Sequence, residues 1–286
     1  MHELLDREKF DILGLCETWF REDSREDCFE HQGYKVTRNE RAGDAIQGGG
    51  LLLLVKESMK AVGYIPRTDI KFKECETERV WTLVVGDGVR LAIGFGYFAS
   101  TSRAGYSNFN EKMYAMIEED MRILKDDGYG IVILGDMNGH VGPRSNLNPH
   151  GVIGDSCARN SNGTLLVNFV ERNDFIIANN MPVCSGVFTR VEGGRCSVVD
   201  YGLIDESLAH LVHSLVIDED RSVCTGSDHG LLTLRLKTQN VWMAGEVRSE
   251  IIRFNITERT SFESYTQGLE DRLEEFEREM GEMSLT

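Results

Sequence analysis

The run Ile131-Val132-Ile133-Leu134 is apolar throughout and ends on Gly135-Asp136-Met137-Asn138. Such a run reads as a fully buried strand, so polar chemistry can appear only where it stops. Residues 11–16 repeat the design and run into Glu17-Thr18-Trp19. Residues 50–55, 80–85 and 90–97 have strand composition as well. Phe109, Met113, Met116, Ile117 and Ile123 fall near helical spacing and predict a helix over 108–124, which Asp126-Asp127-Gly128 stops. After a Gly- and Asn-rich loop over 139–163, residues 165–171 read as a helix. Residues 175–178, 197–204, 215–218 and 230–236 read as strands. Many strands with few helices argue for stacked sheets.

No low-complexity linker divides residues 1–237, which read as one domain. From Asn240 the character changes. Phe262, Tyr265, Leu269, Leu273 and Phe276 recur three or four apart among acidic residues, so 238–286 read as an acidic amphipathic helical appendage or connector. The apolar runs are far shorter than the ~20 residues of a membrane span. No basic stretch followed by an apolar core comes after Met1, so the chain reads as soluble and intracellular, nucleus and cytoplasm undistinguished. Seven cysteines without a Cys-x-x-Cys pair give neither a zinc ribbon nor a regular disulfide framework. The formal net charge of −16 repels a polyanion at long range. A nucleic-acid substrate would therefore need local basic loops and a bound metal.

Three polar segments sit where apolar strands end, the place where open sheets build their sites. Glu17 caps the first strand. Asp136 and Asn138 are two apart, so strand geometry points both to one face and pairs a carboxylate with a neutral amide. Gly226-Ser227-Asp228-His229-Gly230 sets an oxygen ligand for a hard metal next to an imidazole that exchanges a proton near neutral pH. Asp200 lies in Ser197-Val198-Val199-Asp200-Tyr201, where a carboxylate needs a partner, and His229 is the obvious one. Each segment also has a plain structural reading: a solvated Glu, a Gly-Asp-Asn turn, a packing His. His229 is the one histidine within the acidic group, and no second ligand has zinc-like spacing, which disfavours zinc. His140 and His150 read as loop residues.

Taken in order, Glu17-Thr18-Trp19, Gly135-Asp136-Met137-Asn138, Val199-Asp200-Tyr201 and Ser227-Asp228-His229 resemble the exonuclease–endonuclease–phosphatase superfamily of DNase I and the apurinic endonucleases. The resemblance covers residues 1–237. It is strongest to the endonuclease domain of non-LTR retrotransposons, where Gly48-Gly49-Gly50, Gly33-Tyr34 and Asn160-Ser161-Asn162-Gly163 also recur. It implies an α/β fold, a four-layer α/β sandwich of two packed, mainly antiparallel sheets flanked by helices. It implies Mg²⁺ or Mn²⁺ bound by Glu17, with Asp228 serving the same metal site. Asp136 would orient or activate the attacking water beside Asn138, His229 held by Asp200 would contact the scissile phosphate or exchange its proton, and Tyr97 would contact phosphate. Arg103, Arg144, Arg190, Arg195 and Asn162 are the substrate-binding candidates.

The expected activity is Mg²⁺-dependent phosphodiester hydrolysis, by a retrotransposon-type DNA endonuclease or a remnant of one. DNA is the expected substrate and no membrane is involved. The same chemistry on a phospholipid or inositol phosphate ranks second, because the Pro-x-Trp-Cys-Asp-Arg segment of inositol-polyphosphate phosphatases is absent. A catalytically inactive scaffold ranks third. Members of the superfamily begin with a strand carrying an active-site Asn, and Met1 aligns with the helix after it, so that first strand is expected to be missing. The C-terminal segment resembles a connector to a reverse transcriptase, a polymerase partner domain outside this chain.

Overall fold

A computed structural model describes residue 5 and residues 10–19, 31–39, 49–59, 61–64, 78–86, 89–101, 106–223 and 226–238. The amphipathic segment beyond Asn240 and Arg103 lie outside these residues. In chain order the first strands are β1 (Ile12–Cys16), β2 (Tyr34–Asn39), β3 (Leu51–Lys56), β4 (Ala61–Tyr64), β5 (Arg79–Gly86) and β6 (Val89–Tyr97). Helix α1 (Tyr106–Asp126) leads to β7 (Gly130–Asp136), and helix α2 (Ser161–Arg172) leads to β8 (Phe175–Ile177). The remaining strands are β9 (Cys184–Ser185), β10 (Arg190–Glu192), β11 (Arg195–Ser197), β12 (Asp200–Asp205), β13 (Val212–Ile217) and β14 (Leu232–Leu236).

A six-stranded sheet in the order β4-β5-β6-β7-β12-β8 forms the centre. Its one parallel pair, β6 and β7, is joined through α1, since parallel neighbours need a crossover. One face packs against the two helices: Met113, Ile117 and Met121 of α1 and Leu166, Phe169 and Val170 of α2 meet Ile131 and Ile133 of β7 and Leu203 of β12. The other face carries two three-stranded sheets, β1-β3-β2 and β14-β13-β9. Leu51, Leu53 and Val55 of β3 pack with Val80, Val84, Leu91 and Phe95 of the central sheet. Leu215 of β13 packs with Val132 and Ile204. All five apolar residues of β3 are buried, and each contributes about 1.5–3 kcal/mol relative to exposure.

The expected α/β sandwich of mainly antiparallel sheets therefore forms. The helix expected ahead of β1 falls in residues 1–9, of which only Leu5 is described. Among the described residues β1 and β14 are edge strands, paired on one side only. Between them lies a cavity of about 650 Å³ lined by Phe10, Ile12, Phe95, Leu134, Leu231 and Leu234. That opening explains why β1 and β14 stay half-buried while β3 is closed off. The strand expected over 197–204 is in fact two, because residues 190–197 fold into a β10–β11 hairpin around Gly193-Gly194. Among the described residues no helix is long and apolar enough to cross a membrane.

Candidate active site

The polar strand ends meet along one edge of the central sheet. Parallel register sets Tyr97 of β6 beside Asp136 of β7, and antiparallel register sets Asp200 of β12 opposite Asp136. Two carboxylates directly opposite one another repel. A cation relieves them, since His229 Nδ1 lies 2.9 Å from Asp200 Oδ2. One ligand atom each from Asp136, Asp200 and His229 falls within 4.8 Å of the others. On the far side of Asp136, the Tyr97 hydroxyl donates a short hydrogen bond to Glu17, the residue that follows β1. The site is thus a line, Glu17, Tyr97, Asp136, Asp200 and His229, drawn from distant parts of the chain.

Local geometry holds each group. Asp136 is buried, and its two carboxylate oxygens accept from the backbone N–H of Asn138 at 2.8 Å and from its Nδ2 at 3.0 Å. Asn138 adopts φ +45°, a left-handed conformation that asparagine tolerates better than most side chains, and its amide also donates to Phe98 O at 2.9 Å. Gly135 before it must be glycine, because a Cβ there would stand 2.0 Å from the Gly96 carbonyl. Burial first, then the facing Asp200, pushes the Asp136 carboxyl well above the usual carboxylate range, against the opposing pull of His229 and the Asn138 amide. Burial alone would lower His229. The Asp200 hydrogen bond and charge, with Asp136 and Asp228 behind, instead raise it to about 9. Burial and the Glu17 contact raise the Tyr97 hydroxyl, so it remains a neutral donor.

Two candidates do different work from that expected of them. Asn162 is buried, with Nδ2 donating to Asn138 O and Ala99 O at 2.9 Å each and Oδ1 accepting from Asn110. It braces the turn after Asp136 and has no face left for substrate. Gly163 beside it lets that turn close, since a Cβ would meet His140 O at 1.8 Å. Asp228 turns to Arg190, with Arg190 Nε at 2.7 Å from its carboxylate, instead of joining Asp136, because the guanidinium offers a charged donor. Arg190 also reaches Glu192 at 3.0 Å and feels the charge of Asp136, which keeps a cation at the flank of the site. Arg144 points to Asn180 O at 3.4 Å, and Arg195 is exposed on the β10–β11 hairpin.

Sequence reading missed Thr189. It is fully buried, and its hydroxyl accepts from the N–H groups of both Val199 and Asp200 at 3.0 Å, fixing where β12 begins. A lone threonine in a loop gives no signal of this. Glu78 and Asn110 are further buried polar residues behind the site. The donors suit a hard divalent cation: Asp136, Asp200 and His229 each bring a ligand atom within 4.8 Å of the others, and the Glu17 carboxylate stands beyond Tyr97 at the same edge.

The sequence matches the Endonuclease/Exonuclease/phosphatase family over residues 1–229, and the chain belongs to that family. Its members hydrolyse phosphate esters as nucleases or phosphatases. Among solved structures it is similar to the 3' phosphatase NExo from Neisseria bound to a product DNA hairpin, with TM-score 0.61 and 13% identity over 82% of this chain and 92% of that one. It is similar to the AP endonuclease LMAP from Leishmania major, with TM-score 0.62 and 14% identity over 83% and 81%. The endonuclease domain of TRAS1, a telomere-specific non-LTR retrotransposon, gives TM-score 0.56 and 17% identity over 83% and 91%. At these identities the likeness is one of fold. No curated protein sequence matches significantly.

Proposed function

We propose that this chain is a Mg²⁺- or Mn²⁺-dependent endonuclease that hydrolyses phosphodiester bonds in DNA, of the retrotransposon type or descended from it. The observation that carries the reading is the Asp136–Asp200–His229 linkage set directly beside Glu17 and Tyr97. Glu17 is the exposed carboxylate of the group and the one open to an ion, with Asp136 and Asp200 as oxygen donors behind it. A divalent cation there supplies charge neutralisation on the phosphate. Asp136 takes a proton from the attacking water, with its carboxylate direction fixed by the Asn138 N–H and side-chain amide. His229 is an imidazolium at neutral pH and sets a positive N–H against a phosphate oxygen, while Asp200 keeps it oriented. Tyr97 O–H serves as a neutral donor at the same end of the sheet. Arg190 and, farther out, Arg144 and Arg195 offset the acidic surface locally.

The test is nicking of supercoiled plasmid by the full chain in Mg²⁺, in Mn²⁺ and in EDTA, run beside phosphate release from inositol phosphates. Metal-dependent nicking supports the reading. Release from inositol phosphates without nicking moves the activity to the phosphatase side, and neither activity leaves a scaffold.

A further inference from the structure

Glu78 is 2% exposed immediately before β5, a position where a carboxylate must have a structural or chemical reason to be buried. Its Oε2 accepts from the Gly50 N–H at 3.2 Å. Gly50 and Gly49 in turn receive the chain that leaves β1, with Thr18 N–H donating to Gly50 O at 3.3 Å and Trp19 N–H to Gly49 O at 3.0 Å. The residue caught between β1 and these two bonds is Glu17. It adopts φ +52°, a left-handed conformation that a glutamate keeps only when its surroundings impose it. Gly49 and Gly50 sit at φ +84° and +87°, which glycine alone adopts without strain, so the receiving loop is built for this approach. The Glu78 carbonyl meanwhile accepts the Tyr97 N–H at 3.0 Å. One buried residue therefore grips both partners of the Glu17–Tyr97 contact, through its side chain on one side and its backbone on the other.

We propose that Glu78 is a positioning residue for the cation site: by holding the Gly50 amide it fixes the loop that presents the Glu17 carboxylate beside Tyr97. The inference rests on the metal-dependent reading above. Its chemistry is hydrogen-bond acceptance, and this separates the possible substitutions. Glu78→Gln keeps an oxygen that can accept from Gly50, Glu78→Asp withdraws the acceptor by one methylene, and Glu78→Ala removes it.

Mn²⁺ affinity of the full chain, read by electron paramagnetic resonance without substrate, measures the site independently of turnover. Glu78→Ala and Glu78→Asp should weaken Mn²⁺ binding by about 10–100-fold, the usual consequence of losing a group that orients a ligand. Glu78→Gln should bind close to wild type. A metal-free readout accompanies it: amide hydrogen exchange at Thr18 and Trp19 should quicken in Glu78→Ala and Glu78→Asp and stay slow in Glu78→Gln. Unchanged Mn²⁺ affinity in Glu78→Ala and Glu78→Asp, or equal losses in Gln and Ala, would overturn the proposal. If Glu78→Ala fails to fold, the Asp and Gln pair carries the same contrast. Wild-type chain that binds no Mn²⁺ defeats the metal-dependent function instead, and the exchange rates then decide the positioning claim alone.

Discussion

The two halves of the site stand on very different ground. Asp136 and Asp200 end strands paired on both sides, β7 between β6 and β12, and β12 between β7 and β8. Glu17 follows β1, which among the described residues pairs only with β3 and borders the cavity toward β14. The half proposed for acid–base work is thus fixed by the central sheet, while Glu17 follows an edge strand and meets a glycine loop whose Gly50 N–H bonds to Glu78. The division suits the chemistry. Proton transfer tolerates little misplacement, and a carboxylate that follows an edge strand needs its loop held by other means, here the Gly50 amide against Glu78.

The sharpest way to break this contrast is by substitution on each half. Asp136→Asn and His229→Ala should lower the nicking rate by about 10²–10⁴-fold, with folding intact by circular dichroism and no recovery of the rate at saturating Mg²⁺. Undiminished cleavage by Asp136→Asn would take it out of the mechanism. Glu17→Gln should act differently, raising the Mg²⁺ concentration needed for half-maximal rate by about 10–100-fold or more. Loss of rate at saturating metal with an unmoved Mg²⁺ requirement would show that the halves are not separate.

The unequal pairing of the strands predicts a smaller, structural difference. Amides of β1 and β14 should exchange faster than those of β7 and β12. Equal exchange rates in the two pairs of strands would mean that the cavity between β1 and β14 is closed in another way.

The smallest effects are electrostatic and are read in EDTA. The carboxyl of Asp136 is raised by burial and by Asp200, so ionising it weakens the folded state; wild-type stability should fall as pH rises through that titration, and Asp136→Asn should remove the fall. His229 is raised to about 9, so its ion pair contributes fully below about pH 6.5 and fades as pH rises toward 9. The wild-type denaturation midpoint should fall across that window, and the His229→Gln curve should be flatter. A parallel decline in both would assign the pH dependence to other groups.

Much of this was legible in the chain. The helix expected over 108–124 forms as Tyr106–Asp126, and the strand expected over 11–16 forms as Ile12–Cys16. Long periodic or uniformly apolar segments declare themselves because burial and side-chain direction are local properties of the backbone. The β10–β11 hairpin was not legible, since three-residue strands around Gly193-Gly194 carry too few side chains to show a period. Asn160 at the start of α2 was visible as part of an Asn/Gly-rich stretch, yet its side chain caps the helix by accepting from Gly163 N–H at 2.8 Å.

By itself the sequence determined which residues stand at strand ends, because an apolar run admits a carboxylate only where it leaves the core. Only the tertiary structure decided what those residues face. The β7–β12 register sets Asp200 against Asp136, Arg190 draws Asp228 away, Asn162 is spent on the turn, and Glu78 reaches the Gly50 amide. Strand pairing and ion pairing join segments tens of residues apart, and the composition of either segment carries no record of the partner it will meet.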